Sequence, residues 1–185
     1  MVVILSLNSC SSAVSVGAFI GNAGTSSKGI KKSFSDTYLK TKVIAKISLL
    51  DIKNIANISV NVSRGTILYT GYVMSAEKRL LIVKKTCEVE GVKKIINELK
   101  IDDDVPLSRR TNDFILRSKI STRLLFKSGI NSNNFSVDVV DGEVYVIGLA
   151  NNINEKTETE RFLSTMTDIK KLITIIEIPK NLENE

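Results

Sequence analysis

Residues 58–71, ISVNVSRGTILYTG, and residues 135–148, FSVDVVDGEVYVIG, are two versions of one sequence pattern, 77 positions apart. In each stretch, apolar residues alternate with other residues on both sides of a turn that contains Gly65 or Gly142. Alternation with a period of two predicts a β-strand, and glycine supplies the positive φ that a tight hairpin turn requires. Each stretch is therefore predicted to be a β-hairpin.

The same offset continues on both sides of the hairpins. It aligns SDTYLKTKVIAKI (35–47) with NDFILRSKISTRL (112–124), and VKKIINELKI (92–101) with IKKLITIIEI (169–178). None of the three alignments needs a gap. Matches at one fixed offset along most of the chain indicate an internal repeat, so the protein is predicted to be two copies of one small domain.

Each copy is predicted to have the order α-β-β-α-β. The first helices are expected after a capping-type Asp or Asn, at 36–50 and 113–127, the second helices at about 75–89 and 154–165, and the last strands at 93–99 and 170–176. The fold class is therefore α+β, with two tandem domains that each pack two helices on one face of a small three-stranded sheet.

The repeat also predicts how the chain is divided. The expected segments are a signal remnant ending at Cys10 (1–10), a flexible tether (11–33), a first domain (34–101), a linker (102–110), a second domain (111–180) and a tail (181–185).

Four glycines hold corresponding positions in the two copies. Gly65 and Gly142 are interpreted as turn residues that need a positive φ. Gly71 and Gly148 are interpreted as positions where the missing side chain lets a helix approach the end of a strand. All four are predicted to be structural rather than functional.

The N-terminus ends an apolar run with Leu7-Asn8-Ser9-Cys10, which resembles the end of a bacterial lipoprotein signal peptide. Lipidation of Cys10 is therefore expected, although Asn8 and the missing basic segment depart from that pattern. The alternative is a frayed strand with a chance cysteine. Residues 11–29 are mostly small, as in a flexible tether. Cys87 is interpreted as a small buried residue rather than a disulfide partner.

Composition argues against enzymatic chemistry. The chain has 185 residues with no His and two Cys, and no pattern of a zinc site, a phosphate-binding loop or a nucleophile elbow occurs. No catalytic residue, metal or cofactor is therefore predicted. The net charge of +6 indicates an anionic partner. With 5% aromatic residues and no stacking platform, nucleic acid is not the predicted partner.

The repeat resembles the BON domain. The resemblance rests on an Asp before an amphipathic helix, on the hairpin VNVSRGTILYTG (60–71) and on GVKKIINEL (91–99). In the second copy Asp168-Ile169 replaces Gly-Val and Thr174 replaces Asn. That departure puts the turn before the last strand in doubt, but not the fold.

A lipobox-like cysteine, a tether of small residues and two BON domains are together similar to the dual-BON outer-membrane lipoproteins of Gram-negative bacteria. The resemblance implies a lipid-anchored protein that faces the periplasm, supports outer-membrane integrity and binds anionic phospholipid, phosphatidylglycerol or cardiolipin, through the first helix of its second domain. Outer-membrane or division proteins are further implied partners. A Trp of that helix contacts the bilayer in this group, and the matching position here is Ile115.

The predicted helix at 113–127 has two halves. Leu116, Ile120 and Leu124 form a stripe with counterparts in the first copy and are assigned to the core, together with Phe126. The other half supplies the candidate phospholipid-binding residues, which are Phe114, Ile115, Arg117, Lys119 and Arg123. The alternative is a solvated basic face that only keeps the domain soluble. A rival function is a soluble periplasmic stress or chaperone-like protein that binds other polypeptides.

Overall fold

A computed structural model of the chain describes residues 36–50, 52 and 55–179. The first copy contains α1 (Asp36–Ser48), β1 (Ile58–Ser63), β2 (Thr66–Val73), α2 (Ala76–Cys87), β3 (Lys94–Asn97) and β4 (Lys100–Ile101). The second contains α3 (Leu107–Phe126), β5 (Phe135–Val140), β6 (Glu143–Leu149), α4 (Ile153–Ser164) and β7 (Lys171–Glu177). Short 3-10 turns at Ile55–Asn57 and Ser132–Asn134 precede the hairpins.

The two copies share one sheet topology. In the first, β1 pairs antiparallel with β2, which pairs in parallel with β3 and, further along, with β4. In the second, β5 pairs antiparallel with β6, and β6 pairs in parallel with β7. The predicted α-β-β-α-β order and the α+β fold class are confirmed. The first copy differs from the second in having its last strand divided into two short pieces.

The hairpin turns have the geometry that the glycines predict. Arg64 and Gly65 have φ of 50° and 83°, and Asp141 and Gly142 have φ of 55° and 75°. Two successive residues with positive φ form a type I′ turn, whose twist matches that of the flanking strands. The assignment of Gly65 and Gly142 to tight turns is therefore correct.

An aspartate from the first helix holds each turn. The Asp36 carboxylate accepts hydrogen bonds from the backbone N–H groups of Arg64 (2.8 Å) and Gly65 (3.2 Å). Asp113 accepts from those of Asp141 and Gly142, both at 2.8 Å. Hydrogen bonds to a charged acceptor are stronger than those between neutral groups. An aspartate at the same position of each repeat thus links the first helix to the hairpin turn in both copies.

Gly71 and Gly148 allow close packing, but the element that packs against them is not one of the helices α1 to α4. A side chain at Gly71 would overlap the carbonyl oxygen of Asn57, and one at Gly148 would overlap that of Asn134. Both carbonyls end the 3-10 turn that leads into the hairpin. The prediction of a close approach is correct, but the element that approaches each glycine is the 3-10 turn before the hairpin rather than one of the long helices.

Each copy has its own hydrophobic core between its helices and one face of its sheet. The first core contains Leu39, Val43 and Ile47 of α1 together with Ile67 and Tyr69 of β2. The second contains the corresponding residues of α3 and β6, among them Ile120, Leu124, Val144 and Val146. Burial raises the pKa of the Tyr69 hydroxyl to about 12, although its hydrogen bond with Thr86 opposes that rise.

A third cluster lies between the two sheets and joins the copies. It is formed by the opposite faces of the strands and by Val105, with Leu68, Tyr72, Val140, Tyr145 and Ile147 as its other buried members. The sheets therefore pack face to face, and the helices lie on the two outer sides. The molecule has four layers, in the order helices, sheet, sheet, helices.

Polar contacts surround this interface. The Tyr72 hydroxyl donates to Asp141 (2.7 Å), and Lys100 pairs with Asp141 (3.1 Å) and Glu143 (3.3 Å). Thr70 donates to Asp138, which is buried. Partial burial raises the pKa of Asp141 and Glu143, but hydrogen bonds from Tyr72, Tyr145 and Lys100 outweigh it and leave both pKa values below their ordinary range.

Two expectations about single residues have different outcomes. Cys87 is the last residue of α2, and its side chain is exposed and disulfide-bonded, so its interpretation as a buried residue without a disulfide is wrong. Cys10, the segments 1–10 and 11–33 and the tail lie outside the described residues. No helix of the described ranges is both long and apolar enough to cross a bilayer.

Candidate functional site

Helix α3 begins earlier than the sequence predicts. It starts at Leu107, directly after Pro106, and continues to Phe126. The prediction of a start near Asp113 is wrong, because that aspartate lies inside the helix and binds the hairpin turn rather than capping the helix. Residues 107–110, which were assigned to the linker, form the first turn of α3.

The inner face of α3 is the part that the repeat predicts. Ile120 and Leu124 are buried, and Leu116 packs against the same core. At about 100° per residue, these three side chains and Asp113 fall within one sector of about 80°. Phe126 is not part of this sector and is 81% exposed, so its assignment to the core is wrong.

The outer face of α3 carries five large apolar side chains. Leu107, Phe114, Ile115, Leu125 and Phe126 are between 58% and 81% exposed. On an ideal helix, Leu107, Phe114 and Leu125 form one row, and Ile115 and Phe126 form a second row beside it. Only small polar residues, Thr111, Ser118 and Thr122, lie between the rows. The outer face is thus a second apolar surface on a helix that already buries one.

Basic side chains flank these two apolar rows. Arg110 and Arg117 lie beside the first row, and Lys119 and Arg123 lie beside the second. The Arg117 guanidinium lies 5.9 Å from the centre of the Phe114 ring. The structure therefore places the five predicted site residues on the solvent side of one helix, in two groups: Phe114 with Arg117, and Ile115 with Lys119 and Arg123.

Two of the predicted cations have carboxylate partners. Arg117 lies 3.7 Å from Asp138, and Lys119 is hydrogen-bonded to Asp168. The hydrogen bond and the positive charge of Lys119, with a further contribution from Arg123, lower the pKa of the Asp168 carboxyl. Lys119 and Asp168 are both exposed, and exposed ion pairs contribute little stability. Asp138 is buried, but Arg117 is exposed and its distance of 3.7 Å from Asp138 is too long for a hydrogen bond. Neither cation is therefore held firmly away from an external anion.

Charge is unevenly distributed over the second copy. Helix α3 contains five Lys or Arg and one Asp, and that Asp faces the hairpin turn. Residues 127–179 contain five Lys or Arg and eight Asp or Glu, a net charge of −3. Positive charge in this domain is thus concentrated on the helix that also exposes its apolar side chains.

A small cleft of about 230 Å³ lies beside the N-terminal half of α3. Phe114, Arg110 and Arg117 line one wall, while Asn57 and Tyr72 of the first copy line the other. Arg110 donates to the Asn57 side chain at 3.0 Å. The cleft therefore connects the exposed face of α3 with the interface between the copies.

The predicted site residues omit four members of this surface, Leu107, Arg110, Leu125 and Phe126. Leu107 and Arg110 were missed because the helix was expected to start later. Leu125 and Phe126 are adjacent and apolar, so at most one of them could have joined the buried stripe. That spacing was a signal that an apolar side chain would remain outside. Among the described residues, no group of three or more His, Cys, Asp or Glu could hold a metal ion.

Comparisons with known proteins agree with the repeat. The profile of the BON domain family matches residues 35–103 and 112–179. An uncharacterized protein in the gshII 5' region of Anaplasma centrale is 31% identical over 124 residues, which are 66% of this chain and 82% of that protein.

Two solved structures of CdsD, described as a structural protein of the type III secretion system of Chlamydia trachomatis, also match. They share 14% and 11% sequence identity, cover 79% and 77% of this chain, and have TM-scores of 0.30 and 0.31. This chain spans 65% of the length of each. The family profile covers both copies, and the protein therefore belongs to the BON-domain family, with one BON domain in each repeat.

Proposed function

We propose that the protein is a non-enzymatic outer-membrane lipoprotein that binds anionic phospholipid through the outer face of α3 and supports outer-membrane integrity. The observation that carries this proposal is the pattern on that face, where exposed apolar rows are flanked on both sides by basic residues. A helix with this pattern lies in the plane of a membrane interface, with its apolar side chains among the acyl chains and its cations at the phosphates.

The energetics favour an anionic surface over a neutral one. Each Lys or Arg close to an anionic bilayer contributes about 1 kcal/mol, so four flanking cations contribute about 4 kcal/mol. Burial of apolar surface adds about 25 cal/mol per Å². Long basic side chains also extend sideways from an apolar row to reach headgroups. Charge and apolar contact thus act on the same side of one helix.

The uneven charge supports recognition rather than general solubility. A solvated basic face that only keeps the domain soluble gives no reason to expose five large apolar side chains beside the cations. It also gives no reason for α3 to carry a net positive charge while residues 127–179 carry a net charge of −3. A bilayer of anionic lipid accounts for both features.

The first domain has a different proposed role. Its helices lie on the opposite outer side of the four-layer molecule, because the two sheets pack face to face. Helix α1 therefore faces away from a flat membrane that contacts α3. We assign the first domain to support of the second, and to contact with outer-membrane or division proteins.

Anchoring through Cys10 is the second part of the proposal. A cysteine sulfur that carries a diacylglyceryl group cannot also form a disulfide, and the chain has two cysteines. The anchored form that we propose is therefore one in which the disulfide of Cys87 described above is not formed within the chain. Metabolic palmitate labelling should therefore be lost in Cys10→Ala and retained in the control Cys87→Ala. Equal labelling of all three proteins would exclude the anchor.

Flotation with vesicles tests the lipid surface. The protein is expected to float with vesicles that contain phosphatidylglycerol or cardiolipin, and not with pure phosphatidylcholine. Binding should weaken as salt is raised from 0.05 to 0.5 M, because exposed charges are screened. Equal flotation with both vesicle types would contradict the proposal. Capture of unfolded polypeptides without selective flotation would favour the chaperone-like alternative.

A further inference from the structure

Strand β7 is the last strand of the second sheet, and one of its sides is open. It pairs with β6 along its whole length, from Glu143↔Lys171 to Leu149↔Glu177. Within the part of the chain that the structure describes, no strand pairs with its other side. Long open edges rich in β-branched residues are sites where a further strand adds, and β7 reads KLITIIE.

The first domain does not present such an edge at the corresponding position. There the last strand is interrupted after Asn97 and resumes at Lys100, which leaves β3 with four residues and β4 with two. Short and interrupted edge strands are a common protection against unwanted pairing. The two domains share a fold, so the continuous edge of β7 is a property of the second domain rather than a requirement of the fold.

The backbone groups on the open side can be assigned by alternation. The Glu177 carbonyl accepts from Ala150 N on the β6 side at 2.9 Å, so odd-numbered residues of β7 face β6. The N–H and C=O groups of Leu172, Thr174 and Ile176 therefore face away from the sheet. The edge ends where Arg64 donates to the Ile178 carbonyl at 3.0 Å.

The sequence of β7 is complementary to itself when it is read in the opposite direction. With Thr174 at the centre, Lys171 of one strand faces Glu177 of the other, and Leu172 faces Ile176. The outward backbone groups also match in this register, because Leu172, Thr174 and Ile176 all face the partner. We propose that β7 pairs antiparallel with β7 of a second copy of this chain, about a two-fold axis at Thr174.

The side chains of β7 do not obstruct this pairing. Leu172 and Ile176 pack in the core of the second domain, and Ile173 and Ile175 pack between the two sheets. Thr174 donates to Glu160 of α4 at 3.1 Å. Each side chain thus already lies above or below the sheet, and the edge offers its backbone alone. Hydrogen bonds along the strand give affinity. The Glu177 carboxylate lies 3.7 Å from Arg64 of its own chain and is partly exposed, so it can pair with Lys171 of the second copy as well, and the two Lys–Glu pairs favour this register.

This dimer would also determine how the proposed membrane surface is presented, and this part of the inference rests on the proposed function. A two-fold axis that joins antiparallel edge strands is perpendicular to the sheet, so both copies keep their α3 helices on the same face. Helix α3 packs over β5, at the far edge from β7, and is not covered by the partner. Two α3 surfaces on one face would bind a membrane together and more tightly than either alone.

Sedimentation of the full chain without lipid tests the pairing separately from membrane binding. A reversible dimer is expected. Lys171→Glu should weaken it about tenfold, because two attractive pairs become repulsive. Lys171→Glu combined with Glu177→Lys should restore it, because the charges are exchanged but remain complementary. Thr174→Pro, which removes one outward N–H at a position that tolerates proline, should yield monomer.

Amide exchange of the wild-type protein provides a second readout that needs no variant. The amides of Leu172, Thr174 and Ile176 should become protected as the protein concentration rises, while those of β1 in the first domain should not change. The proposal is overturned by a single one-chain mass at about 1 mM protein, where a dimer with a Kd of about 1 mM would contain about half of the chains. It is also overturned if the charge exchange fails to restore the dimer.

Discussion

Helices α1 and α3 hold equivalent positions in the two domains and differ in length and on the side that faces solvent. Their inner residues correspond one to one, with Leu39, Val43 and Ile47 of α1 matching the buried stripe of α3. Outside, α1 exposes Tyr38 and Ile44, and the exposed Leu49 follows its end, whereas α3 has an added N-terminal turn and exposes five large apolar side chains. The difference separates what the fold requires from what the second domain adds.

The distribution of charge also differs between the two domains. Residues 35–103 contain twelve Lys or Arg and eight Asp or Glu, spread over helices, turns and strands. On α1, Lys46 pairs with Glu88 of the second helix at 3.0 Å. In the second copy, net positive charge lies on α3 beside the apolar rows, because residues 127–179 carry a net charge of −3. An amphipathic surface therefore distinguishes α3 from α1 better than net charge does, because the first domain is the more basic of the two.

The largest expected effect concerns the shared interior and should be equal in both domains. Asp36→Ala and Asp113→Ala each remove two hydrogen bonds from a carboxylate to the turn, so each should lower the free energy of unfolding of its domain by about 3 kcal/mol. Urea unfolding with a probe in each domain measures this. A large loss in one domain and none in the other would contradict the equivalence of the two turns.

A smaller effect is expected on the outer faces, and only in one domain. Ile115→Ser with Phe126→Ser should weaken vesicle binding about thirtyfold, because each side chain contributes about 1 kcal/mol of partial burial. The matched control is Tyr38→Ser with Leu49→Ser, which changes the corresponding positions of the first domain. Vesicle titration checks both, and equal losses would show that the apolar rows of α3 are not special.

The contact between the domains should respond to acid. The pKa values of Asp141 and Glu143 are lower in the folded protein than in the unfolded chain, so their pairing with Lys100 stabilises fully above about pH 4.5. As the pH falls from about 4.5 through the lowered pKa values of the folded protein, about 1 kcal/mol should be lost. Thermal unfolding across pH 3–6 measures this. Lys100→Met should flatten the profile, and an unchanged profile would contradict the assignment.

The smallest expected effect is a gain in vesicle binding rather than a loss. Asp168→Asn removes the carboxylate that pairs with Lys119, so vesicle binding should become about threefold tighter at low salt. The control is Glu88→Gln, which releases Lys46 in the first domain and should leave binding unchanged. Weaker binding by Asp168→Asn would show that Asp168 holds Lys119 in a position that favours lipid binding, instead of competing with the lipid phosphates for it.

Most of the fold could be predicted because the local signals and the repeat agreed. Alternating apolar residues, turn glycines and a helical stripe each specify one element, and two copies at one offset repeat the information. The start of α3 was missed because Asp113 was interpreted as the capping residue, although Leu107–Asn112 contains no residue that breaks a helix after Pro106. The role of Asp113 was missed because its partners lie 28 and 29 residues away.

The sequence of β2 contains a signal for the contact between the sheets, although a search for alternating apolar residues does not detect it. All eight residues of β2 are buried, including Leu68, Thr70 and Tyr72 on the face away from the helices. A strand that reads TILYTGYV has few polar residues on either face, which is typical of a strand covered on both sides. The candidate surface could be predicted only in part, since the exposure of Leu125 and Phe126 depends on which of two adjacent side chains turns inward.

The most direct test of the central claim is charge reversal at matched positions of the two first helices. Lys119→Glu with Arg123→Glu should weaken binding to vesicles containing phosphatidylglycerol at least about a hundredfold, because four units of charge change beside the membrane. Lys42→Glu with Lys46→Glu, 77 residues earlier, should keep wild-type binding within about threefold, and circular dichroism should show both variants folded. Equal losses in the two variants, or no loss in the first, would contradict the assignment of the membrane surface to α3.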